Sequence, residues 1–333
     1  MILPRQLNDK ITALASELKS STLKQTRANL TDKYKNHTGQ STDLISGKND
    51  SILYAISRMP ATYSVIYSLI FELASEGVLE KLNTVCDIGS GTGSAYFALS
   101  ELYDDIKFSL YERSQAMIDI FKRLSDNAID VNKSDAVKTD FETKYDLVMT
   151  SFVLSEMTEQ DRNKVFEKML DISDKYVLVI DTGTPETYKN IYKLKAIAKE
   201  KGYNVIAPCK CERCTLENDY CQFYARVERS SLLRQSKSAS LPYEDEKYFY
   251  LLFEKVSNAN DYHNANSGAS STEYGRVIRR PKIKEKEVEL ILCTPNGTDS
   301  KRITKANKQL FKNAKKIKIN QILSENDSNS DWK

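Results

Sequence analysis

The sequence has no long apolar run and only two histidines, and these absences narrow what the protein can be. No stretch reaches the roughly 18 apolar residues of a membrane-spanning helix, and the first residues lack the apolar core of a signal peptide. We therefore expect an intracellular protein without a membrane partner. His37 and His263 both lie in polar segments that predict loops, so neither is a convincing catalytic base.

Cysteine is also scarce, with six residues in 333, but four of the six fall within residues 209–221. A chain of this length with 40% hydrophobic residues does not need disulfides to stabilise its core. In a reducing compartment such close spacing favours metal ligands over disulfides. Four thiolates suit zinc or an iron–sulfur cluster, and the Cys-x-x-Cys spacing of Cys211 and Cys214 alone favours zinc slightly. Cys86 lies apart in an apolar strand and is expected to be simply buried.

Hydrophobic patterning divides the chain into regions. The apolar spacing of residues 1–80 predicts a helical N-terminal region. Residues 81–206 alternate short apolar runs with helical patterns, which predicts an α/β domain with a parallel sheet. Residues 207–320 predict a cysteine-rich lobe with antiparallel strands and a basic end, and residues 321–333 predict a disordered tail. The predicted strands are residues 84–88, 108–111, 147–150, 176–180, 204–207, 247–253 and 288–292.

The segment VCDIGSGTGSAYFAL, residues 85–99, combines an apolar strand, a glycine-rich turn and the start of a helix. Glycine suits this turn because a Cβ would disfavour positive φ and keep a ligand away from the backbone. The pattern D-x-G-x-G-x-G, with the acid at the strand end, resembles motif I of Rossmann-like class I S-adenosylmethionine methyltransferases. The resemblance implies that fold, with S-adenosyl-L-methionine as the cofactor. The residues expected to hold it there are Asp87, Gly89, Ser90, Gly91 and Gly93.

Two later segments extend the predicted cofactor site. Glu112 ends the second predicted strand about twenty residues after the glycines, where a carboxylate can accept hydrogen bonds from both ribose hydroxyls. Asp135 and Ala136 fall where such enzymes place a loop beside the adenine. The segment TSFVLSEM, residues 150–157, lacks the paired prolines of enzymes that methylate exocyclic base nitrogens. The sequence therefore predicts a cofactor-binding fold but identifies no catalytic residue.

The end of the chain is strongly basic. Residues 276–318 contain fourteen lysines and arginines against four acids, a balance suited to binding phosphates. A solvated basic surface is the simpler alternative. Arg58 and the basic residues of the N-terminal helix are further expected contacts to RNA phosphates.

The succession of motifs resembles a particular family, the methyltransferase-like assembly proteins of the small ribosomal subunit, known from mitochondria and with bacterial relatives. The similarity covers roughly residues 50–305. The segments that carry it are RMPATY (58–63), CDIGSGTG (86–93), TSFVLSEM (150–157), DTGTP (181–185), the cysteine segment (207–223), YEDEKYFYL (243–251), RVIRRP (276–281) and LILCTPNG (290–297).

This resemblance implies a factor that binds the small ribosomal subunit and its rRNA, and that is monomeric off the ribosome. It also implies a [4Fe-4S] cluster with Cys209, Cys214, Cys221 and Cys293 as ligands, in place of the zinc that spacing alone favours. Cys211 lies where the family has a histidine two residues after its first ligand, so it is either a spare thiol or an alternate ligand to Cys209.

Two other functions also fit the sequence: an active rRNA methyltransferase, and a small-molecule methyltransferase with a zinc lobe. The abundance of Lys, Asn, Ile and Tyr suggests an AT-rich genome. Because no transit peptide is evident, a bacterial cytoplasm is the expected location, with the mitochondrial matrix as the alternative.

Overall fold

The fold is taken from a computed structural model of the chain. The residues that the structure describes are 3–18, 45, 47–79, 81–209, 214, 216, 219–231, 234, 240–256, 273–294 and 296–324.

A mixed sheet forms the centre of the molecule. Its apolar strands are flanked by turns and helices, as their alternation along the chain predicts. In chain order they are β1 (Thr84–Ile88), β2 (Lys107–Glu112), β3 (Val131–Lys133), β4 (Tyr145–Ser151), β5 (Ser173–Thr182), β6 (Tyr203–Ala207), β7 (Phe223–Glu228) and β8 (Tyr243–Lys255).

The spatial order of this sheet is β3-β2-β1-β4-β5-β8-β6, and β7 pairs with the first half of β8. Strands β3, β2, β1, β4 and β5 are parallel, whereas β8 runs antiparallel between β5 and β6. Because parallel strands end at the same edge of a sheet, β1, β2 and β4 present their carboxyl ends side by side.

Helices form the described N-terminal part of the chain and pack against the sheet. Those described are α1 (Arg5–Ala15), α2 (Lys48–Ser57), α3 (Met59–Ser75), α4 (Ser94–Ser100), α5 (Gln115–Leu124), α6 (Glu159–Asp171), α7 (Pro185–Tyr192), α8 (Leu194–Glu200) and α9 (Lys308–Ala314).

Helix packing follows the apolar spacing. In α3, Pro60 occupies the first turn, and Tyr63, Ile66 and Ile70 are buried in the main core, at three- and four-residue intervals. A second core joins α1 to α2 and α5. None of the described helices has the length and apolar character that crossing a membrane requires.

A second, antiparallel sheet follows the first. Its strand β11 pairs with β10, β12 and β9, and β9 also pairs with β13. Helix α9 covers one face, burying Leu310 and Phe311 against the sheet. The strands are β9 (Glu273–Val277), β10 (Lys282–Ile283), β11 (Glu287–Thr294), β12 (Gly297–Thr304) and β13 (Ile322–Ser324).

Some features differ from the sequence predictions. Strands β7 and β8, placed by sequence in the lobe of residues 207–320, pair within the first sheet, because the apolar half of β8 fills the space between β5 and β6. Residues 322–324, in the predicted tail, form β13 on the edge of the second sheet. The remainder of that tail, residues 325–333, lies outside the described residues.

Candidate functional site

The glycine turn after β1 needs glycine for two separate reasons. Gly89, Gly91 and Gly93 have φ values of +77°, +55° and +84°, a region that other residues rarely adopt. A Cβ on Gly89 would lie 2.6 Å from a methyl carbon of Val153, and one on Gly93 would clash with the ring of Phe121. The turn can therefore approach its neighbours closely only without side chains.

Glu112 ends β2 and faces this turn. Its Oε2 accepts a hydrogen bond from the backbone N–H of Gly91 at 2.9 Å, and its Oε1 accepts one from that of Ser114 at 2.8 Å. Burial raises the pKa of this carboxyl, against the effect of these N–H donors. Each carboxylate oxygen keeps a further lone pair, so the group can also accept hydrogen bonds from ligand hydroxyls.

A pocket opens at the carboxyl ends of β1, β2 and β4. Of the predicted cofactor residues, Gly89, Gly91, Glu112, Asp135 and Ala136 line it. The Asp135 carboxylate accepts a hydrogen bond at 3.0 Å from the backbone N–H two residues later, which stabilises its own turn. The structure thus brings three separate predicted segments to one pocket.

Asp87 and Ser90 are not among the lining residues but lie buried at the base of the same turn. Within the described part of the chain, neither carboxylate oxygen of Asp87 has a hydrogen-bond partner, and the hydroxyls of Ser90 and Thr92 lack one as well. Burial and the charge of Glu112 raise the pKa of Asp87 to about 7. Buried polar atoms without partners are uncommon in folded proteins, so this turn suits a polar ligand.

Phe152 forms a wall of the pocket that the sequence analysis missed. It directly follows β4 and has a φ of +58°, unusual for a bulky residue, and its N–H donates to the carbonyl of Ile180 at 2.8 Å. The Arg58 guanidinium lies 5.8 Å from the Phe152 ring centroid and pairs with Glu246 at 3.0 Å. Arg58, expected to contact RNA phosphates, therefore also packs against the pocket wall.

Glu156 adds a titratable group to the pocket. It lies in a short 3-10 turn (Leu154–Glu156), and burial together with the charge of Asp181 raises its pKa to about 7. Asp181 is fully buried at the end of β5, where it accepts hydrogen bonds from the backbone N–H and hydroxyl of Ser155 at 2.9 and 2.6 Å. A carboxyl that titrates near neutral pH can exchange a proton with a bound group.

The predicted metal ligands come from two parts of the chain, residues 209–221 and strand β11. Cys209 is exposed, whereas Cys214, Cys221 and Cys293 are partly buried. Burial raises the pKa of the Cys221 thiol well above its usual range, and negative charge on the other three thiols would raise it further, so all four lie within electrostatic reach. Cys211 lies outside the described residues.

Arg276 connects two of these cysteine segments. It lies opposite Cys293 in the β9–β11 pair, and its guanidinium donates to the carbonyl of Pro208, the residue before Cys209, at 2.7 Å. Its positive charge also lowers the pKa of the Cys221 thiol. A distant strand pair thus lies beside the loop that carries the other cysteines.

The four thiols influence one another electrostatically, but the described residues do not form a metal site. Within the described residues, no group of three or more His, Cys, Asp or Glu side chains is arranged to hold a metal ion. The predicted cysteine-rich metal lobe is therefore not confirmed. Cys86 is fully buried in β1, as expected, and burial raises the pKa of its thiol.

The strand order, the antiparallel β8 between β5 and β6, and the glycine turn at the end of β1 define a class I S-adenosylmethionine methyltransferase fold. Within this class, the chain belongs to the family described as mitochondrial small ribosomal subunit Rsm22, whose sequence profile matches residues 48–321. This membership confirms the resemblance inferred from the motifs.

Solved structures with a similar fold have low sequence identity to this chain. The protein PH1948 of Pyrococcus horikoshii is 17% identical, with 71% of this chain and 98% of that one covered at a TM-score of 0.40. Magnesium protoporphyrin IX methyltransferase of Synechocystis PCC 6803, with bound S-adenosylmethionine, is 14% identical, with coverages of 72% and 98% and a TM-score of 0.41. No curated protein sequence matches the chain significantly.

Proposed function

We propose that the protein is an assembly or translation factor of the small ribosomal subunit that binds rRNA, S-adenosyl-L-methionine and a [4Fe-4S] cluster. The observation that carries this proposal is the family match over residues 48–321, which spans the pocket, the cysteine segments and the basic region. The family's description supports the mitochondrial matrix over a bacterial cytoplasm as the location. Off the ribosome the protein is a monomer.

Support for S-adenosyl-L-methionine comes from the pocket. The glycine turn leaves its backbone accessible, Glu112 has lone pairs for ribose hydroxyls, and Asp87 has no partner within the described residues. Ala136 offers an apolar surface beside an adenine. When bound, the cofactor supplies a methyl group carried on a sulfonium.

Support for the cluster comes from the four thiols and their surroundings. Cys209, Cys214 and Cys293 all influence the pKa of Cys221, and the Tyr188 hydroxyl donates a hydrogen bond to the sulfur of Cys214 at 3.0 Å, the kind of contact that orients metal ligands. Four thiolates suit an iron–sulfur cluster, with a structural or redox-sensing role, and zinc is the second candidate.

Purification without oxygen tests the metal. We expect brown protein with stoichiometric iron and acid-labile sulfide. One zinc ion per chain and no colour would contradict the cluster and favour the zinc alternative.

Sedimentation with purified small ribosomal subunits tests the partner. We expect the protein to co-migrate with the subunits in a sucrose gradient and to dissociate as salt rises, because counterions compete for the rRNA phosphates. A small-molecule methyltransferase with a zinc lobe would stay at the top of the gradient at every salt concentration. The basic region also argues against that third function.

An active rRNA methyltransferase is the second candidate function. Glu156, with a pKa near neutrality, and the Phe152 wall beside it favour this reading. Transfer of tritium from labelled S-adenosylmethionine to immature subunits, compared with Gly91→Arg, separates the two functions. An Arg at this position would have to adopt a φ of +55° and would enter the pocket.

A further inference from the structure

The part of the chain that runs from within β12 through α9 to β13 carries positive charge and no acidic residue. Residues 300–324 include eight lysines and arginines and no aspartate or glutamate. Six of these residues surround α9 with exposed side chains, and we name them the α9 lysine face: Lys305, Lys308, Lys312, Lys315, Lys316 and Lys318.

The fold directs this face outward. Asn307 caps α9 by accepting a hydrogen bond from the backbone N–H of Leu310 at 3.0 Å, and Leu310 and Phe311 are buried against β11 and β12. Lys308 and Lys312 are four residues apart and therefore share the side of the helix away from this core. The apolar side of α9 is thus buried against the sheet, and its basic side is exposed to solvent.

Several lysines elsewhere on the surface are paired with acids. Lys193 lies 2.9 Å from Glu159, and Lys201 lies 2.8 Å from Asp171. Within the residues that the structure describes, no ion pair involves a member of the α9 lysine face, and the nearest acid in sequence is Asp299 on β12. Among the described residues, therefore, no acid neutralises the positive charge of this face by direct pairing.

We propose that the α9 lysine face binds the sugar–phosphate backbone of small-subunit rRNA, an inference that rests on the proposed function. Exposed ammonium groups neutralise phosphates, and the amides of Gln309 and Asn313 between them add polar contacts to sugar and phosphate oxygens. A lipid surface is a poorer partner, because a membrane-binding helix needs an exposed apolar side, and Leu310 and Phe311 are buried.

Three members of the α9 lysine face provide the test, Lys308 and Lys312 on the helix and Lys316 in the turn that follows it. The variant Lys308→Gln/Lys312→Gln/Lys316→Gln removes three charges while keeping good helix formers. The control Lys122→Gln/Lys193→Gln/Lys201→Gln removes three charges from lysines away from α9 that are paired with Asp130, Glu159 and Asp171. Binding of each full-length protein to small subunits, and to their deproteinised rRNA, is measured between about 50 and 200 mM salt.

We expect the α9 variant to bind both targets at least roughly tenfold more weakly at ~0.1 M salt, with a salt slope smaller by about 2 to 3, and the control to bind normally. An unchanged α9 variant, or an equal loss in the control, would overturn the inference. A loss seen with intact subunits but not with naked rRNA would indicate a ribosomal protein as the partner and would equally overturn it. If the wild-type protein binds neither target, the proposed function itself is wrong. That result differs from one in which the wild type binds and the α9 variant binds equally well, which would contradict only the role of the α9 lysine face.

Discussion

The hydroxyl of Tyr188 donates a hydrogen bond to the sulfur of Cys214 across 3.0 Å. Tyr188 lies on α7, and its ring packs edge-to-face on Phe249 of β8 with centroids 4.9 Å apart. Tyr192, one turn later, accepts a hydrogen bond from the backbone N–H of Cys214 at 2.6 Å. One helix of the methyltransferase fold therefore holds a proposed cluster ligand by both its sulfur and its backbone.

Tyr188→Phe should lower the reduction potential of the proposed cluster. A hydrogen bond to a ligand sulfur stabilises the reduced state, which carries the additional negative charge, so its loss should shift the potential down by tens of millivolts. Redox titration followed by electron paramagnetic resonance measures this shift. Tyr192→Phe is the matched control, because it removes a contact to the Cys214 backbone and leaves the sulfur contact in place. Equal potentials in wild type and Tyr188→Phe would contradict the tuning role.

Sequence patterns predicted the strands that carry the cofactor site. Strands β1, β2, β4 and β5 are short apolar runs separated by helical patterns, and each appears within a residue or a few of its predicted bounds. Strand β3 has the sequence Val-Asn-Lys with two exposed residues, so it lacks an apolar signal, and it forms only because β2 offers a free edge. Local periodicity also does not reveal that β8 lies between β5 and β6, since that position depends on distant pairing.

The candidate site was predictable to a similar degree. The glycine turn and Glu112 carry a local motif, and both reach the pocket. Phe152 and Glu156 became visible only in three dimensions, because their roles depend on a left-handed backbone and on burial beside Asp181. The sequence did offer one signal for them: both residues follow shortly after a parallel strand, and ligands bind at the carboxyl ends of such strands.

Glu112→Gln should weaken binding of S-adenosylmethionine at least roughly tenfold. The amide NH2 would face a backbone N–H of Gly91 or Ser114, so one loop hydrogen bond is lost together with an acceptor for the ligand. Isothermal titration calorimetry measures the affinity. Glu101→Gln, on an exposed glutamate after α4, serves as the control and should bind normally. Equal affinities in the two variants would remove Glu112 from the proposed site.

Asp87→Asn should stabilise the ligand-free protein at alkaline pH. The native carboxyl has a pKa of about 7, whereas in the unfolded chain it is about 4. Between these values the native state binds more protons than the unfolded state, so the free energy of unfolding falls as pH rises through this window. The neutral amide avoids this loss. Thermal denaturation at pH 5 and pH 8 should show the variant's advantage growing at the higher pH.

The matched control for Asp87 is Asp181→Asn, also on a fully buried strand-end aspartate. Asp181 accepts hydrogen bonds from Ser155 and from the backbone N–H of Thr182, at 2.6 to 2.9 Å. Its amide variant would turn a donor toward these groups, so we expect a lower melting temperature. A destabilised Asp87→Asn at pH 8 would show that its carboxylate has stabilising partners in solution.

Cys293→Ser should reduce the iron content of anaerobically purified protein to well under half. Cys293 lies on β11 opposite Arg276, whose guanidinium also contacts Pro208 beside Cys209, so the strand pair brings this distant thiol to the other cysteines. A serine oxygen is a poorer ligand for cluster iron than a thiolate. Cys86→Ala is the control, because this cysteine is fully buried in β1 and its loss should lower stability without removing iron.

The outcome for Cys293 also distinguishes two ligand sets. If Cys293→Ser retains full iron, the ligands must all come from the segment of residues 209–221, which then has to include Cys211. In that case Cys211→Ser should lose the iron, and the antiparallel sheet would play no part in holding the cluster. If Cys293→Ser loses iron and Cys211→Ser keeps it, the ligand set spans both sheets. Metal removal should then destabilise the contact between β9–β11 and the cysteine loop, measurable as faster hydrogen exchange in β11.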